Sequence, residues 1–376
     1  MDTEVYAQRL ARARSLLHVH GLDYLLVGPS ADMVYLVGAR QRPTPRMSVL
    51  LVPQEGPIHM VLPAFEAPSL PTLPEGLLIT TWGESDNPAR LVAGLIATAN
   101  GTHPGGAQCT IGVSDRLWSV FLLNIQAQLP RAAFTHGSQV LTALRIVKTP
   151  EELALLRHSG AMADEVFGEI VTRRLAGRTE KNVAQEIASL LEARGLDVEG
   201  HPIVASGPNS ASPHHHSGDR TIQDGDVVIL DWGGTVQGYY SDITRTVFAG
   251  SGPRPGSEEE RVYGLVAQAQ EAGVRAARPG MACETLDAVA RDLLTDAGYG
   301  QYFIHRLGHG VGLDGHEPPY LVKGNATILQ PGMVFTVEPG LYLPGKFGVR
   351  VEDTVALGET GAERLNNVPR EIRVVS

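Results

Sequence analysis

Apolar positions along the chain follow two rhythms. Over residues 4–20, Tyr6, Leu10, Ala13, Leu16 and Leu17 recur at helical spacing, and the pattern stops at Gly21. Short β-branched and aliphatic runs then predict strands at Tyr24 to Val27, Ser48 to Val52, His59 to Leu62, Leu78 to Thr80 and Thr110 to Val113. Helical spacing returns at Ala89 to Ala99 and from near Leu117 to Gln128. Such alternation predicts an α/β domain. The pattern breaks over residues 135–148, and the boundary is placed to give domains 1–138 and 139–376. Just beyond it, Thr149-Pro150-Glu151-Glu152 reads as a helix start, with Thr as N-cap, Pro in the first turn and Glu reaching back.

The second part has longer helices and longer strands. Gly177, Val183, Ile187, Leu190, Leu191 and Gly195 match Gly280, Leu286, Ala290, Leu293, Leu294 and Gly298, always 103 residues apart. Each copy reads as a glycine, a helix with one apolar face and a closing glycine. A duplicated α–β unit would bring two sheets together at a pseudo-two-fold axis; chance matching of small apolar residues is the alternative. Ser257-Glu258-Glu259-Glu260 caps a further helix between the copies. Val227 to Leu230, followed by Asp231-Trp232-Gly233-Gly234 and Tyr239 to Thr246, reads as a hairpin turning at Thr235 to Gly238. With the turn centred between Val236 and Gln237, Asp231 faces Asp242. Two opposed carboxylates repel, so they need a cation or a shared proton.

Composition narrows the choice. The chain has 376 residues, 43% hydrophobic and 19% charged, with a formal net charge of -10. That balance is expected of a soluble protein that binds neither nucleic acid nor an anionic membrane surface. The acidic start Met1-Asp2-Thr3-Glu4 offers no basic segment of a signal peptide, and no apolar run approaches a membrane span. Cys109 and Cys283 are the only cysteines, which fits a reducing cytoplasm. In the first domain one loop stands out, Gly38 to Arg46, with Arg40, Arg42 and Arg46 beside two prolines. It is either a solvated basic loop or a site for an anionic group.

The chemistry collects in the second part. Glu338, in Phe335-Thr336-Val337-Glu338-Pro339-Gly340, and Glu352, in Gly348-Val349-Arg350-Val351-Glu352-Asp353-Thr354, sit in apolar runs where a lone charge would be costly. With Asp231, Asp242 and His309 of Gly308-His309-Gly310-Val311-Gly312 they make a set of four carboxylates and one imidazole. Oxygen and nitrogen donors of this kind suit Mn²⁺, Co²⁺, Fe²⁺ or Zn²⁺. Four negative charges are balanced by two divalent ions, which favours a two-metal site sharing a water or hydroxide. Arg350, two residues before Glu352, alternates onto the same face; it either pairs with a carboxylate or faces solvent. His214 to His216 form either part of the site or a surface patch, and His305 is either part of the site or a structural histidine. The glycines of 308–312 lack the dinucleotide pattern, and His316-Glu317-Pro318-Pro319 cannot form a His-Glu-x-x-His helix.

These five residues, in order and in context, resemble the pita-bread metallopeptidases: the methionine aminopeptidase, aminopeptidase P and prolidase superfamily. The resemblance covers about residues 140–376, and the first domain more loosely resembles the creatinase-type domain of the Xaa-Pro branch. It implies an α+β pita-bread catalytic domain with an internal pseudo-two-fold repeat behind an α/β amino-terminal domain. It implies that Asp231 holds one ion, His309 and Glu338 the other, and that Asp242 and Glu352 bridge both. By the same resemblance a bridging hydroxide attacks the peptide carbonyl, Glu338 acts as general base and proton donor, and His214, His305 and His316 bind the substrate or shuttle protons. Mn²⁺ is the metal expected first.

The extra domain points to the Xaa-Pro branch, and that resemblance implies a homodimer and a small peptide with proline second. Many prolidases follow the His-Glu segment with an arginine that grips the dipeptide's carboxylate; here Tyr320 stands in that place. Either longer peptides are accepted, as by an Xaa-Pro aminopeptidase, or another arginine substitutes. Arg46 is the candidate, contributed from the same or the neighbouring subunit. Xaa-Pro dipeptidase is therefore the leading reading. A catalytically dead peptide-binding module and a creatinase-like amidinohydrolase are disfavoured, because all five ligands are present.

Overall fold

The computed structural model describes residues 3–99, 101 and 108–376. Met1 and Asp2 of the acidic start lie outside the described residues. The chain divides into two compact units, Met1–Arg145 and Ile146–Ser376.

The first unit runs α1 (Thr3–Val19), β1 (Tyr24–Val27), α2 (Ala31–Val37), β2 (Val49–Pro53), β3 (Ile58–Pro63), β4 (Leu77–Trp82), α3 (Pro88–Ala99), β5 (Thr110–Val113), α4 (Ser119–Gln128), β6 (Ala133–His136) and α5 (Ser138–Arg145). The strands form one mixed sheet in the order β4-β3-β2-β1-β5-β6. The α/β alternation is therefore as read from the apolar pattern, with three additions: strand β6 and two helices, α2 and α5. The segment 31–37 is a helix although Val34, Tyr35 and Val37 carry strand propensity; Gly38, at φ 72°, ends it with its N–H on Val34 O. And α5 belongs to the first unit, so the division falls at 145/146 rather than 138/139. Tyr35 donates to Leu144 O at 2.8 Å, Arg12 to Ala143 O at 2.9 Å, and Arg145 pairs with Asp32 at 2.6 Å. These contacts fasten α5 to α1 and α2.

The second unit opens with α6 (Pro150–Ile170) and α7 (Glu180–Ala193), then β7 (Ile203–Ser206), β8 (Val227–Trp232), β9 (Thr235–Val236), β10 (Tyr239–Tyr240) and β11 (Ile243–Ala249). Next come α8 (Glu258–Ala276), α9 (Cys283–Asp296), β12 (Gly308–Gly310), β13 (Glu317–Leu321), β14 (Val334–Val337), β15 (Gly340–Leu343), β16 (Phe347–Arg350), β17 (Glu352–Leu357), β18 (Ala362–Arg364) and β19 (Val374–Val375). Helix α6 starts with the capping box read from the sequence: Thr149 accepts from Glu152 N while Glu152 accepts from Thr149 N. Such a cap contributes about 1 kcal/mol.

A large sheet orders its strands β13-β12-β14-β17-β11-β8-β7. Helices α6 and α7 pack their apolar faces on β7, β8 and β11; α8 and α9 pack on strands β12 to β17. Residues of β11 and β17 are buried throughout, because both faces of the sheet are covered. The two helices at the 103-residue spacing have equal length, 14 residues each, and their first residues are 283 − 180 = 103 apart. Their inward residues correspond: Val183, Ile187 and Leu191 against Leu286, Ala290 and Leu294, all fully buried. Among the described residues no helix is long and apolar enough to cross a membrane.

The hairpin differs in register from the expectation. Val236 pairs with Tyr239, and the turn residues are Gln237 and Gly238, at φ 51° and 85°. Two consecutive left-handed residues make the turn type whose twist matches the flanking strands. The turn centre thus lies one residue later than expected. Asp231 faces Thr244 rather than Asp242, which becomes its diagonal neighbour on the same face.

Candidate metal centre

Strand register builds the site. Asp231 on β8, Thr244 on β11 and Glu352 at the start of β17 form one row across three strands. Val337 pairs with Asp353, so Glu338, immediately after β14, continues that row beside Glu352. Asp242 immediately precedes β11. His309 is the middle residue of β12, between glycines that let the neighbouring backbones close in: a Cβ on Gly308 would lie 1.9 Å from Thr336 O, and one on Gly310 2.3 Å from Pro318 O. The five donors come from five places in the chain and meet at one end of one sheet.

His309 Nε2 lies 3.2 Å from Glu338 Oε1 and 3.7 Å from Asp242 Oδ2. Ligand atoms of His309, Glu338 and Glu352 lie within 4.8 Å of one another, as do those of Asp231, Asp242 and Glu352 and those of Asp242, His309 and His316. Asp242 and Glu352 each belong to two of these groups. Threonines orient the carboxylates: Thr244 Oγ1 donates to Glu352 Oε2 at 2.6 Å, and Thr336 Oγ1 to Glu338 Oε1 at 3.1 Å. Arg350, 3% exposed, donates to Asp231 Oδ2 at 2.5 Å and to Thr244 Oγ1 at 3.0 Å.

The electrostatics are those of an under-neutralised anion cluster. Burial, with the Asp231 charge added, pushes Asp242 up to about 8. Burial and the Asp242 charge hold Glu352 well above the usual carboxylate range. Asp231 is also raised, by burial, although Arg350 opposes it. Glu338 takes the opposite course. Burial raises it, but the hydrogen bond and charge of His309 outweigh that and bring it to about 2. His309, lowered by burial, is carried up to about 9 by Glu338 and Asp242. One guanidinium among four carboxylates leaves room for positive charge, and the oxygen and nitrogen donors fit divalent metal.

The centre opens on a cavity of about 730 Å³ whose lining includes His214, His305, Arg306, His316, Lys323 and Arg350. His316 stacks on His309 with ring centroids 3.6 Å apart; burial and the His309 charge lower it to about 4. His305 has both ring nitrogens engaged, Nδ1 with Arg306 O at 2.7 Å and Nε2 with the Tyr342 hydroxyl at 3.0 Å. Arg350 donates to that hydroxyl at 2.9 Å, and burial pushes Tyr342 up to about 12, so it stays protonated. Arg350, Tyr342 and His305 therefore form one chain of hydrogen bonds along the wall. Tyr320 lies on β13 opposite His309, its ring 4.4 Å from the Arg306 guanidinium. Arg46 lies in the first unit, paired with Glu84 at 2.6 Å and 5.3 Å from the Phe65 ring.

Three groups were not singled out from the sequence. Tyr342 carried no signal beyond an aromatic in a strand. Lys148 and Glu317 form a buried pair at 2.9 Å, with side chains 1% and 5% exposed. Glu317 Oε2 also accepts from Asp314 N, which ties down the loop before His316. Glu180, fully buried, accepts from His215 Nε2 at 2.7 Å. His215 is thus not a plain surface histidine; His216 is exposed.

Four carboxylates and one histidine, buried or half-buried and opening together on a cavity, mark a metal-dependent hydrolase. The chain belongs to metallopeptidase family M24, which it matches over residues 154–359, and residues 9–147 match the Creatinase/Prolidase N-terminal domain. A probable dipeptidase PepE of Mycobacterium tuberculosis is 40% identical over 378 residues, spanning 100% of this chain and 98% of the relative. An Xaa-Pro dipeptidase of Pyrococcus furiosus is 39% identical over 264 residues, 70% of this chain and 75% of the relative. Among solved structures, dipeptidase PepE from Mycobacterium ulcerans superposes with a TM-score of 0.92 at 40% identity, covering 100% of this chain and 99% of that one.

Proposed function

We propose that this metallopeptidase hydrolyses the Xaa-Pro bond of dipeptides, with two divalent ions, Mn²⁺ first among them, held per subunit by Asp231, Asp242, His309, Glu338 and Glu352. The observation that carries the reading is the paired donor groups, His309–Glu338–Glu352 and Asp231–Asp242–Glu352, which share Glu352 on the wall of a cavity. Divalent metal bound there supplies Lewis-acid polarisation and lowers the pKa of water. The protein's own groups do the rest. Glu338 accepts and returns the proton at the reacting centre. His214 and His316 contact the substrate backbone and its developing oxyanion. The Arg350–Tyr342–His305 chain orients Asp231 and holds the His305 ring on the cavity wall, towards the substrate.

The amino-terminal domain and the names of the relatives support the Xaa-Pro branch. The second reading, an Xaa-Pro aminopeptidase, is favoured by Tyr320 standing where an arginine would grip a dipeptide's carboxylate. Arg46, from the same or a neighbouring subunit of a homodimer, is the substitute proposed for that grip. Exposed Phe65, Leu78, Ile79 and Trp118 in the first unit suit such an assembly. The buried, unpaired cysteines Cys109 and Cys283 suit a reducing cytoplasm.

With Mn²⁺ added, Ala-Pro is expected to be cleaved at least about tenfold faster than Ala-Pro-Ala, equivalent to about 1.4 kcal/mol of transition-state discrimination. Arg46→Ala should reduce turnover of Ala-Pro and spare Ala-Pro-Ala. Equal rates on the two peptides favour the aminopeptidase reading, and an unchanged dipeptide rate in the variant removes Arg46 from the site.

A further inference from the structure

Outside the metal cluster, the most heavily bonded buried charge near the site is Glu180. It is the first residue of α7, after the N-cap Thr179. Its Oε1 accepts from Ser206 N and Ser206 Oγ, both at 2.8 Å, and from Asn209 Nδ2 at 3.0 Å. Its Oε2 accepts from His215 Nε2 at 2.7 Å, from Asn209 Nδ2 at 3.2 Å and from Gly218 N at 3.3 Å. A buried carboxylate is costly unless its oxygens are filled, and this one is filled and sits at a helix N-terminus, where negative charge is favoured. Burial opposes its ionisation, but the bonds from His215, Ser206 and Asn209 outweigh that and hold it below the usual range.

The donors span one segment. Ser206 ends β7, Asn209 lies in the helical turn Gly207–Ala211, and His215 and Gly218 follow beyond Pro213. His214, between them, lines the cavity of the metal centre. Pro213 and His214 are the central residues of a turn closed by His215 N donating to Ser212 O at 3.3 Å, so the residue bound to Glu180 ends the turn that carries His214 to the cavity. The other side is also held, since Arg350 Nη1 donates to Pro213 O at 3.2 Å. Facing an acceptor-only carboxylate, His215 carries its hydrogen on Nε2.

We infer that Glu180 and His215 are positioning residues, a buried carboxylate–histidine anchor that fixes His214 against the substrate from behind. The inference rests on the reading of His214 as a substrate-facing group. Neither residue touches the metal cluster, so their loss acts on geometry rather than on metal content.

The test uses the full-length Mn²⁺-loaded protein. His215→Ala is expected to lower kcat/KM on Ala-Pro about 10- to 100-fold, as loss of an orienting partner does, with bound metal unchanged. His215→Gln, which keeps a donor, should recover most of it. Because His215 acts through His214, the His214→Ala/His215→Ala double variant should be no slower than His214→Ala alone. Hydrogen exchange of the peptide 207–218 is an independent readout that needs no substrate, and His215→Ala should speed it at least about tenfold if the anchor orders this segment. Full additivity of the two losses, or unchanged exchange in that peptide, overturns the anchor. If wild-type protein leaves Ala-Pro intact while exchange responds as expected, the substrate reading fails and the anchor stands.

Discussion

Asp242→Ala should lose Ala-Pro hydrolysis by at least about 10³-fold, about 4 kcal/mol of barrier, together with tightly bound metal. Asp242 belongs to two of the three donor groups, with His309 and His316 in one and with Asp231 and Glu352 in the other, so its removal takes a donor from both. Its stability should respond in the opposite sense. In metal-free protein Asp242 is raised by burial and by Asp231, which marks it as an unfavourable neighbour. Metal-free Asp242→Ala should therefore melt no lower than metal-free wild type, and added Mn²⁺ should raise its melting temperature far less. Metal content and two melting curves decide the matter. A variant that keeps two tightly bound ions would refute the bridging role, and one that melts well below metal-free wild type would refute the repulsion.

The second large effect is on the pH dependence of metal-free protein. An Asp titrating near 3.8 unfolded and about 8 folded takes up protons on folding between those values. Its folded-state stabilisation is complete below about 4 and is lost as pH rises through about 8. His309, raised to about 9, works in the same direction, since its stabilisation is full below its unfolded value of 6.5 and disappears through 9. Glu338, depressed to about 2, contributes stability above 4.5 that is lost only below that range. Metal-free protein should thus become less stable from pH 5 to pH 8, the reverse of a domain whose carboxylates are well paired. A loss of about 2 kcal/mol corresponds to a fall of about 4–8 °C in Tm. Metal must displace these protons, so stabilisation by Mn²⁺ should grow over the same interval, and EDTA should cost most stability and all activity at the alkaline end. Scanning calorimetry with and without EDTA at pH 5, 6.5 and 8 measures this; a flat metal-free profile would contradict it.

That these carboxylates gather at one place was partly legible in the sequence, because Glu338 and Glu352 interrupt apolar runs, where a charge has no reason to be unless something pairs it. Arg350 could be placed on the ligand face by strand alternation alone. The register of Asp231 and Asp242 was legible only to within a residue. Gly238 marks a turn, but whether it fills the second left-handed position depends on Gln237 accepting a positive φ, which composition does not announce. Helix α2 was hidden by its β-branched residues, and α5 by its position in a stretch that reads as a linker. Glu180 and Lys148 were hidden for another reason. Their partners, His215 and Glu317, lie 35 and 169 residues away, and neither spacing follows a helix or a strand.

The Lys148–Glu317 pair bears on how the second unit can be excised. The M24 match begins at residue 154, but Lys148, which pairs with buried Glu317, sits before it, ahead of α6. A fragment trimmed to the matched span would remove Lys148 from the buried pair beneath the loop of His316, and losing one partner of a buried ion pair costs about 3–5 kcal/mol. A recombinant catalytic fragment must therefore begin upstream of Lys148 if it is to keep the wall of its own active site.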